Sequence, residues 1–361
     1  MSGAMMQSSF EVQINPAKII FEDGAIKKTA KAVQDLGCSK ALVLSTPHQA
    51  DQANSLGELI GDLCAGTYTN ATMHTPTDVT AEALGVVEST GADCTIAIGG
   101  GSTTGLGKAL AFRTDAPQIV IPTTYAGSEV TPILGQTEDG VKTTVSDAKI
   151  LPEVVIYDPE LTYGLPVAMS VTSALNALAH AAEALYAQNR NPITSLQARE
   201  GIEALIRALP EITDNPASPS GRRNALYGAW LCGTVLGSVG MALHHKLCHT
   251  LGGTFDLPHA ETHAIILPHA VAFNEVAVPD LLQPISDTLG SPSAGAGLYD
   301  YAKKISAPTA LKDLGMPEDG IDHAADLAVS NPYWNPRAFE RSQVRRIIEN
   351  AYHGRSPEPV D

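Results

Sequence analysis

Five polar side chains have the types and the spacing of a small catalytic cluster. Asn176 and His180 stand four residues apart in an alanine-rich segment, and His245 and His249 repeat that spacing further along the chain. Residues four apart lie on the same face of a helix. His259 follows ten residues after His249, in a segment that we expect to be a loop. Imidazoles bind metals, transfer protons and stabilise negative charge, so the pattern predicts a site with one of these roles.

The metal-binding alternative depends on one position. If residue 176 were Asp, it would combine with His180, His245 and His259 into one carboxylate and three imidazoles, a suitable cage for a divalent cation. The chain has Asn176 instead, and the charge that would help to hold a metal is absent. The function therefore depends on whether this site binds a metal or works without one.

Two polar turns indicate a nucleotide site. Gly99-Gly100-Gly101-Ser102 directly follows the apolar run Cys94–Ile98 and precedes a helical pattern over Thr104–Ala111. Glycines allow close approach of a ligand to the backbone, and a helix N-terminus favours a pyrophosphate. The motif is not GxGxxG, so a tight turn without a ligand remains an alternative. The second turn, Pro122–Thr131, follows the next strand and offers Thr123, Thr124 and Ser128 at the same sheet edge.

Alternating strands and helices in the first half predict a doubly wound, Rossmann-like parallel sheet. The expected strands are short apolar runs: Lys40–Ser45, Cys94–Ile98, Gln118–Pro122 and Val154–Tyr157. Helical patterns cover Ala25–Leu36 and Thr80–Thr90, and long helices follow at Ser170–Gln188, Ile193–Leu209 and Arg222–Leu251. The expected organisation is an α/β dinucleotide-binding domain over 1–165 and an all-helical substrate domain over 166–361, with the active site in the cleft between them.

Composition limits the partners. The formal net charge of −16 argues against nucleic acid and against an anionic membrane surface, because both would be repelled. Five scattered cysteines without a CxxC pair fit a reducing cytoplasm. No run of eighteen apolar residues occurs, and no secretory leader is apparent. A cytoplasmic protein is therefore expected.

The spacing of Asn176, His180, His245, His249 and His259, together with Gly-Gly-Gly-Ser and Pro-Thr-Thr, resembles the iron-containing (group III) alcohol dehydrogenases over nearly the whole chain. That resemblance implies an N-terminal nucleotide-binding domain, a helical C-terminal domain and a homodimer. In the family, an Asp and three His bind the metal, and they match Asn176, His180, His245 and His259. A further family histidine, near substrate and nicotinamide, matches His249.

Three departures point to a metal-independent branch of that family. Asn176 replaces the ligand Asp, Gly105 replaces the Asp of the Gly-Gly-Gly-Ser-x-x-Asp motif, and Thr46 stands where many relatives have an acidic residue for the adenosine ribose. The branch reduces a carbon–carbon double bond conjugated to a ketone in a small dicarboxylate, within the catabolism of aromatic compounds. An enolate oxygen can be stabilised by imidazolium and amide donors without a Lewis acid.

The resemblance implies a role for each candidate residue. His249 and His245 are the predicted catalytic residues, with His249 beside the nicotinamide. The predicted substrate-binding residues are Asn176, His180, His259 and Tyr125. The predicted cofactor-binding residues are Gly99, Gly100, Gly101, Ser102, Thr123, Thr124, Ser128, Thr46 and Thr75. The expected cofactor is NADH, with NADPH also accepted because Thr46 does not exclude a 2′-phosphate, and no metal is expected.

Three other functions remain open at this level. A metal-dependent alcohol dehydrogenase could use the carbonyl oxygen of Asn176 as a ligand. A lyase resembling dehydroquinate synthase would need a dense Lys/Arg set around a phosphate, and the helical half does not show one. A nucleotide-binding protein without enzymatic activity would not need the histidine cluster.

Overall fold

The computed structural model describes Phe10, Val12, residues 17–331 and residues 333–358, with the side chain of Lys142 excepted. Among the described residues, 17–165 form one compact unit, and 166–358 group with Phe10 and Val12 in a second. The first unit is α/β and the second is helical, which confirms the predicted fold class. Among the described residues, no helix is both long enough and apolar enough to cross a membrane.

The α/β unit is built on a parallel sheet. Its strands are β1 (Lys18–Phe21), β2 (Ala41–Leu44), β3 (Cys64–Tyr68), β4 (Cys94–Gly99), β5 (Gln118–Pro122) and β8 (Val154–Tyr157). Their order across the sheet is β1-β8-β5-β4-β2-β3, and every pairing is parallel. The four inner strands are fully buried because hydrophobic clusters cover both faces of the sheet.

Four helices accompany this sheet: α1 (Thr29–Asp35), α2 (Ala50–Ile60), α3 (Thr77–Thr90) and α4 (Gly101–Thr114). The predicted helix from Ala25 is split, because a 3₁₀ turn occupies Ala25–Lys28 before α1 begins. An antiparallel hairpin that the sequence did not indicate, β6 (Ile133–Glu138) with β7 (Val141–Ser146), follows the turn after β5.

The helical unit contains α5 (Val167–Tyr186), α6 (Pro192–Asp214), α7 (Pro219–Leu236), α8 (Leu243–Phe255), α9 (His259–Glu275), α10 (Pro279–Leu289), α11 (Ala294–Lys304), α12 (Gly320–Ser330) and α13 (Arg341–His353). From Ser170 to Tyr186, helix α5 is buried on all sides, and the helix packs against α6, α7 and α9. A helix that is apolar all round belongs in a core.

Two sequence-based expectations about these helices are wrong. The predicted helix Arg222–Leu251 is two helices, α7 and α8, because the chain breaks over residues 237–242. Gly237 and Gly240 disfavour helix there, and the backbone N–H of Gly240 donates to Oδ1 of Asn189 at 2.8 Å instead of to a helical carbonyl. His259 does not lie in a loop: it is the first residue of α9.

Candidate active site

Three polar side chains lie along one face of the buried helix α5. Asn176, His180 and Glu183 are spaced by four and three residues, and each is less than 5 % exposed. Such spacing stacks side chains one turn above another. A buried polar side chain needs partners, and Glu183 and His180 find theirs on α8.

Glu183 accepts hydrogen bonds from the start of α8. Its Oε2 accepts from the backbone N–H of Ala242 at 2.8 Å, and its Oε1 accepts from the N–H of His244 at 2.8 Å. Helix α8 has no capping side chain of its own at Ala242, so the carboxylate from α5 satisfies its first N–H groups. Oε2 of Glu183 also lies 2.7 Å from Nδ1 of His245.

His245 continues this line of hydrogen bonds to His180. Its Nε2 lies 2.8 Å from Nδ1 of His180, and the two ring centroids are 5.0 Å apart. Both side chains are buried. Glu183, His245 and His180 therefore form one continuous hydrogen-bonded row, called the imidazole row below.

The other predicted histidines surround a residue to which the sequence gave no role, His263. The ring centroid of His263 lies 4.3 Å from that of His259, 5.2 Å from that of His245 and 6.5 Å from that of His249. His249 and His259 are exposed, whereas His263 is fully buried. The four predicted histidines thus come together in the helical unit, as the spacing indicated.

A second group of side chains lies beside the imidazole row. Nε2 of His244 is 3.0 Å from Nδ1 of His263 and 3.6 Å from Sγ of Cys248. Burial holds the pKa of His244 and that of His263 well below their ordinary value, and the neighbouring imidazoles act in the same direction. This pair is therefore neutral at pH 7.

The donor set does not fit a divalent metal in the way that the family pattern implies. A metal site needs at least three ligand atoms close together. In the part of the chain that the structure describes, two groups have three such atoms within 4.8 Å of one another, namely His244–Cys248–His263 and Cys38–Asp93–Cys94. The ligand atoms of His180, His245 and His259 do not lie this close together. The facing nitrogens of His180 and His245 bond to each other. Residue 176 contributes a neutral amide, and its buried Oδ1 lacks a hydrogen-bond partner among the described residues.

The predicted nucleotide turn has the geometry that a pyrophosphate needs. Gly99 has φ 154°, and a Cβ on it would stand 2.5 Å from Oγ1 of Thr103, so only glycine fits. Helix α4 begins at the exposed Gly101 without a capping side chain, which leaves its N-terminus for an anion. The backbone N–H of Thr123 donates to the carbonyl of Gly99 at 2.9 Å and joins the two predicted turns. These residues fit a dinucleotide.

The remaining predicted residues of this unit differ in exposure. Thr46 follows β2 at the same edge of the sheet and is half-buried, as are Ser102, Thr124 and Ser128. Thr75 is buried in a backbone conformation with φ 48°. Tyr125 is fully buried, so a substrate can contact it only after a local rearrangement.

A buried lysine holds the second turn in place. Nζ of Lys108, on α4, donates to Oγ1 of Thr131 and to the carbonyl of Ile133, each at 2.9 Å, and also to the carbonyl of Ser128. Burial lowers the pKa of Lys108 to about 7, and the nearby carboxylate of Glu129 opposes this shift. Lys108 therefore fixes the loop between β5 and β6.

Two site residues could have been found in the sequence. Glu183 lies three residues after His180, and His263 lies four residues after His259, so helical spacing places each on the face of a candidate histidine. The contacts of Glu183 with α8 depend on tertiary structure, and spacing alone does not reveal them.

Comparisons with known proteins agree with this architecture. Residues 16–159 match the model of the iron-containing alcohol dehydrogenases, and residues 170–352 match the model of the C-terminal part of the Fe-containing alcohol dehydrogenase family. The chain belongs to the iron-containing alcohol dehydrogenase family, and it is an oxidoreductase. The family resemblance drawn from the sequence is confirmed.

Several similar proteins share one name. A maleylacetate reductase of Rhizobium sp. (strain MTP-10005) is 58 % identical over 95 % of this chain and 97 % of its own length. That of Burkholderia cepacia is 52 % identical over 96 % and 98 %. The crystal structure of maleylacetate reductase from Agrobacterium tumefaciens matches with a TM-score of 0.95 and 57 % identity, over 97 % of this chain and 99 % of that one.

Proposed function

We propose that the chain reduces maleylacetate to 3-oxoadipate with NAD(P)H, and that it does so without a metal. One proton and one hydride are added across the carbon–carbon double bond conjugated to the ketone, and NAD(P)⁺ is released. Full-length similarity to two maleylacetate reductases, at 58 % and 52 % identity, supports the substrate and the reaction.

A single observation supports the absence of a metal: Nδ1 of His180 and Nε2 of His245 face each other at 2.8 Å, beside a neutral residue 176. Reduction of an enone places negative charge on the ketone oxygen as an enolate. An imidazole pair that binds one proton can supply the positive charge that this oxygen needs. A proton then takes the role that a cation has in the metal-dependent branch.

The roles follow from exposure and charge. When bound, the nicotinamide supplies a hydride to the alkene carbon β to the ketone. His249 is exposed one turn after His245 on α8, and we assign it to hydrogen-bond the ketone oxygen as charge develops. His259, exposed at the start of α9, and the amide of Asn176 position the dicarboxylate. A proton bound by these histidines attracts an anionic substrate despite a net charge of −16.

The cofactor choice depends on Thr46. A carboxylate at the end of β2 would bind the ribose hydroxyls and repel a 2′-phosphate. Thr46 carries no charge, and its Oγ1 lies 3.4 Å from Oε1 of Gln49. We therefore propose that both NADH and NADPH are accepted, which steady-state rates with each cofactor would test.

We also propose a homodimer that works in the cytoplasm. The dimer is an expectation from the family resemblance, and the cytoplasm is supported by five cysteines that are all free thiols. Sedimentation equilibrium would decide the assembly: a single species of the monomer mass contradicts the dimer.

The function is tested by NAD(P)H oxidation with maleylacetate on protein purified without chelator, with elemental analysis of the same sample. We expect turnover that added chelator leaves unchanged, and a kcat that falls about 10²–10³-fold in His249→Ala. No turnover by the wild-type protein contradicts the assignment. Turnover that chelator abolishes and Zn²⁺ or Fe²⁺ restores indicates the metal-dependent alternative instead.

A further inference from the structure

Lys246 is a half-buried cation on the helix that carries His249. Residues three apart are neighbours on the surface of a helix, so Lys246 lies one turn before the exposed His249 on α8. Nζ of Lys246 lies over the ring of Tyr333, 5.6 Å from the centroid, and it forms no ion pair with a described carboxylate. Its three N–H donors can therefore bind an anionic ligand.

The hydroxyl of Tyr333 is a second polar group that needs a partner. Its Oη is buried, and no described group forms a hydrogen bond with it. Burial raises the pKa of Tyr333, and the nearby carboxylate of Glu183 acts in the same direction, so the hydroxyl keeps its hydrogen. Most buried polar side-chain atoms in folded proteins have a partner. Tyr333 thus offers a donor beside Lys246 that the described protein groups do not use.

The segment that carries Tyr333 is anchored to α8 and α9. Oδ1 of Asn335 accepts from the backbone N–H of Leu243, the first residue of α8, at 3.4 Å. Nδ2 of Asn335 donates to Oδ1 of Asn274, on α9, at 2.7 Å. The ring of Tyr333 packs against that of Phe339, with the centroids 5.0 Å apart. These contacts fix the position of the ring without using its hydroxyl.

We propose that Lys246 and Tyr333 bind one carboxylate of the substrate. This inference rests on the proposed function and deepens it, because it assigns residues that orient the dicarboxylate. The ammonium group supplies the opposite charge and the hydroxyl donates a hydrogen bond, and the two oxygens of one carboxylate can accept both.

The carboxylate concerned is the one on the methylene arm of maleylacetate. The other carboxylate is attached to the carbon that receives the hydride, so it lies against the nicotinamide. The methylene arm is attached to the ketone carbon, whose oxygen is assigned to His249. Lys246 is the neighbour of His249 on α8, so the two side chains can hold adjacent groups of one substrate.

Lys303 and Tyr299 are a matched control pair. Nζ of Lys303 lies 5.6 Å from the centroid of the Tyr299 ring, which is the distance found for Lys246 and Tyr333. The hydroxyl of Tyr299, however, donates to the carbonyl of Gly354 at 2.6 Å. The two pairs share the contact between cation and ring, and they differ in whether the hydroxyl has a protein acceptor.

Lys246→Met tests the cation. We expect the KM for maleylacetate to rise about 10–100-fold, the size of a lost hydrogen bond to a charged group. The kcat and the Kd for NADH should stay within about threefold, because the carboxylate is bound equally in the ground state and in the transition state. Lys303→Met removes a cation from the same kind of ring contact and should leave all three constants at the wild-type values.

Tyr333→Phe separates binding from stability. The change removes a buried hydroxyl that has no described partner, so the free energy of unfolding should stay the same or rise, while the KM for maleylacetate rises about 5–20-fold. Tyr299→Phe should do the opposite: the fold loses the hydrogen bond to Gly354, and the KM stays unchanged. Urea unfolding and steady-state kinetics measure both variants. If Lys246→Met does not fold, this pair of variants still tests the proposal.

An analogue with one carboxylate identifies the group that Lys246 binds. 4-Oxopent-2-enoate is maleylacetate without the carboxylate of its methylene arm. Its Ki as a competitive inhibitor should change by less than about threefold in Lys246→Met, because the group that Lys246 binds is missing. A Ki that rises as much as the KM for maleylacetate contradicts the assignment to the methylene arm.

A KM for maleylacetate that stays at the wild-type value in Lys246→Met or in Tyr333→Phe overturns the proposal, as does an equal rise of KM in Lys246→Met and Lys303→Met. A wild-type protein that does not turn over maleylacetate is a separate result, and it removes the proposed function itself.

Discussion

Oγ1 of Thr75 lies 2.3 Å from the point where a Cβ on Gly105 would stand. Thr75 is buried in a left-handed backbone conformation, and its carbonyl accepts the N–H of Thr137 at 3.3 Å. The threonine therefore occupies the space that a side chain on α4 would need. Gly105 is one of the departures from the family motif, and Thr75 is its steric counterpart.

We expect Gly105→Ala to lower the free energy of unfolding by about 1 kcal/mol, because an overpacking cost of about 1–3 kcal/mol exceeds the gain of about 1 kcal/mol in helix propensity. Thr75→Ala removes the clashing oxygen, so the double variant should be more stable than Gly105→Ala alone. Gly85→Ala on α3 is the control, since a Cβ there meets nothing within 4 Å and should stabilise. Urea unfolding of the wild type and of these variants measures the free energies. A Gly105→Ala variant that is more stable than the wild type contradicts the clash.

The sequence predicted elements well where one local pattern determines them. Strands β5 and β8 agree with their predicted ends because buried parallel strands are continuous apolar runs bounded by turn residues. The start of α8 could not be predicted, because its first N–H groups are satisfied by Glu183 from another helix. Helical spacing identified His245 and His249, but it could not show that His263 lies centrally among the candidate histidines.

Lys108 should be a stability residue, because its Nζ donates to three acceptors in the loop after β5, and the nearby carboxylate of Glu129 favours its charged form. Lys108→Met leaves these loop acceptors without their donor and removes a cation near Glu129, so we expect a loss of about 3–5 kcal/mol in the free energy of unfolding. The double variant with Glu129→Gln should recover part of it. Lys31→Met, at an exposed ion pair with Asp35, should change stability by less than about 0.5 kcal/mol. A double variant no more stable than Lys108→Met argues against the coupling.

Stability should fall in mild acid because α9 buries a neutral histidine. Burial lowers the pKa of His269 to about 4, whereas the unfolded chain takes up a proton near 6.5. Below pH 6.5 the unfolded state therefore binds more protons, and stability is lost as the pH falls from 6.5 towards 4. Between pH 6.5 and 5 this one group costs about 2 kcal/mol. Urea unfolding at both pH values should show a smaller difference in His269→Gln, while the exposed His323→Gln should match the wild type.

Asn176→Asp should make the site responsive to a divalent metal. Oδ1 of Asn176 is buried, and no described group donates a hydrogen bond to it, so a carboxylate there lacks stabilising donors. A buried and unpaired carboxylate costs several kcal/mol unless it gains a proton or a cation. His180 lies one turn further along α5, and His245 faces His180, so two imidazoles are near enough to exchange their mutual hydrogen bond for a shared cation.

The variant should therefore melt below the wild type when chelated, recover with Zn²⁺ or Fe²⁺, and retain metal in elemental analysis. Its metal-free turnover of maleylacetate should fall, because a negative charge beside the substrate opposes the enolate. Asn191→Asp is the control: Asn191 is buried as well, but its Oδ1 accepts the N–H groups of Ile193 and Thr194 at the start of α6, where a carboxylate is well satisfied. Its melting temperature should not respond to metal. If the melting temperature of Asn176→Asp does not respond to metal either, the amide at residue 176 is not what distinguishes this site from a metal-binding site.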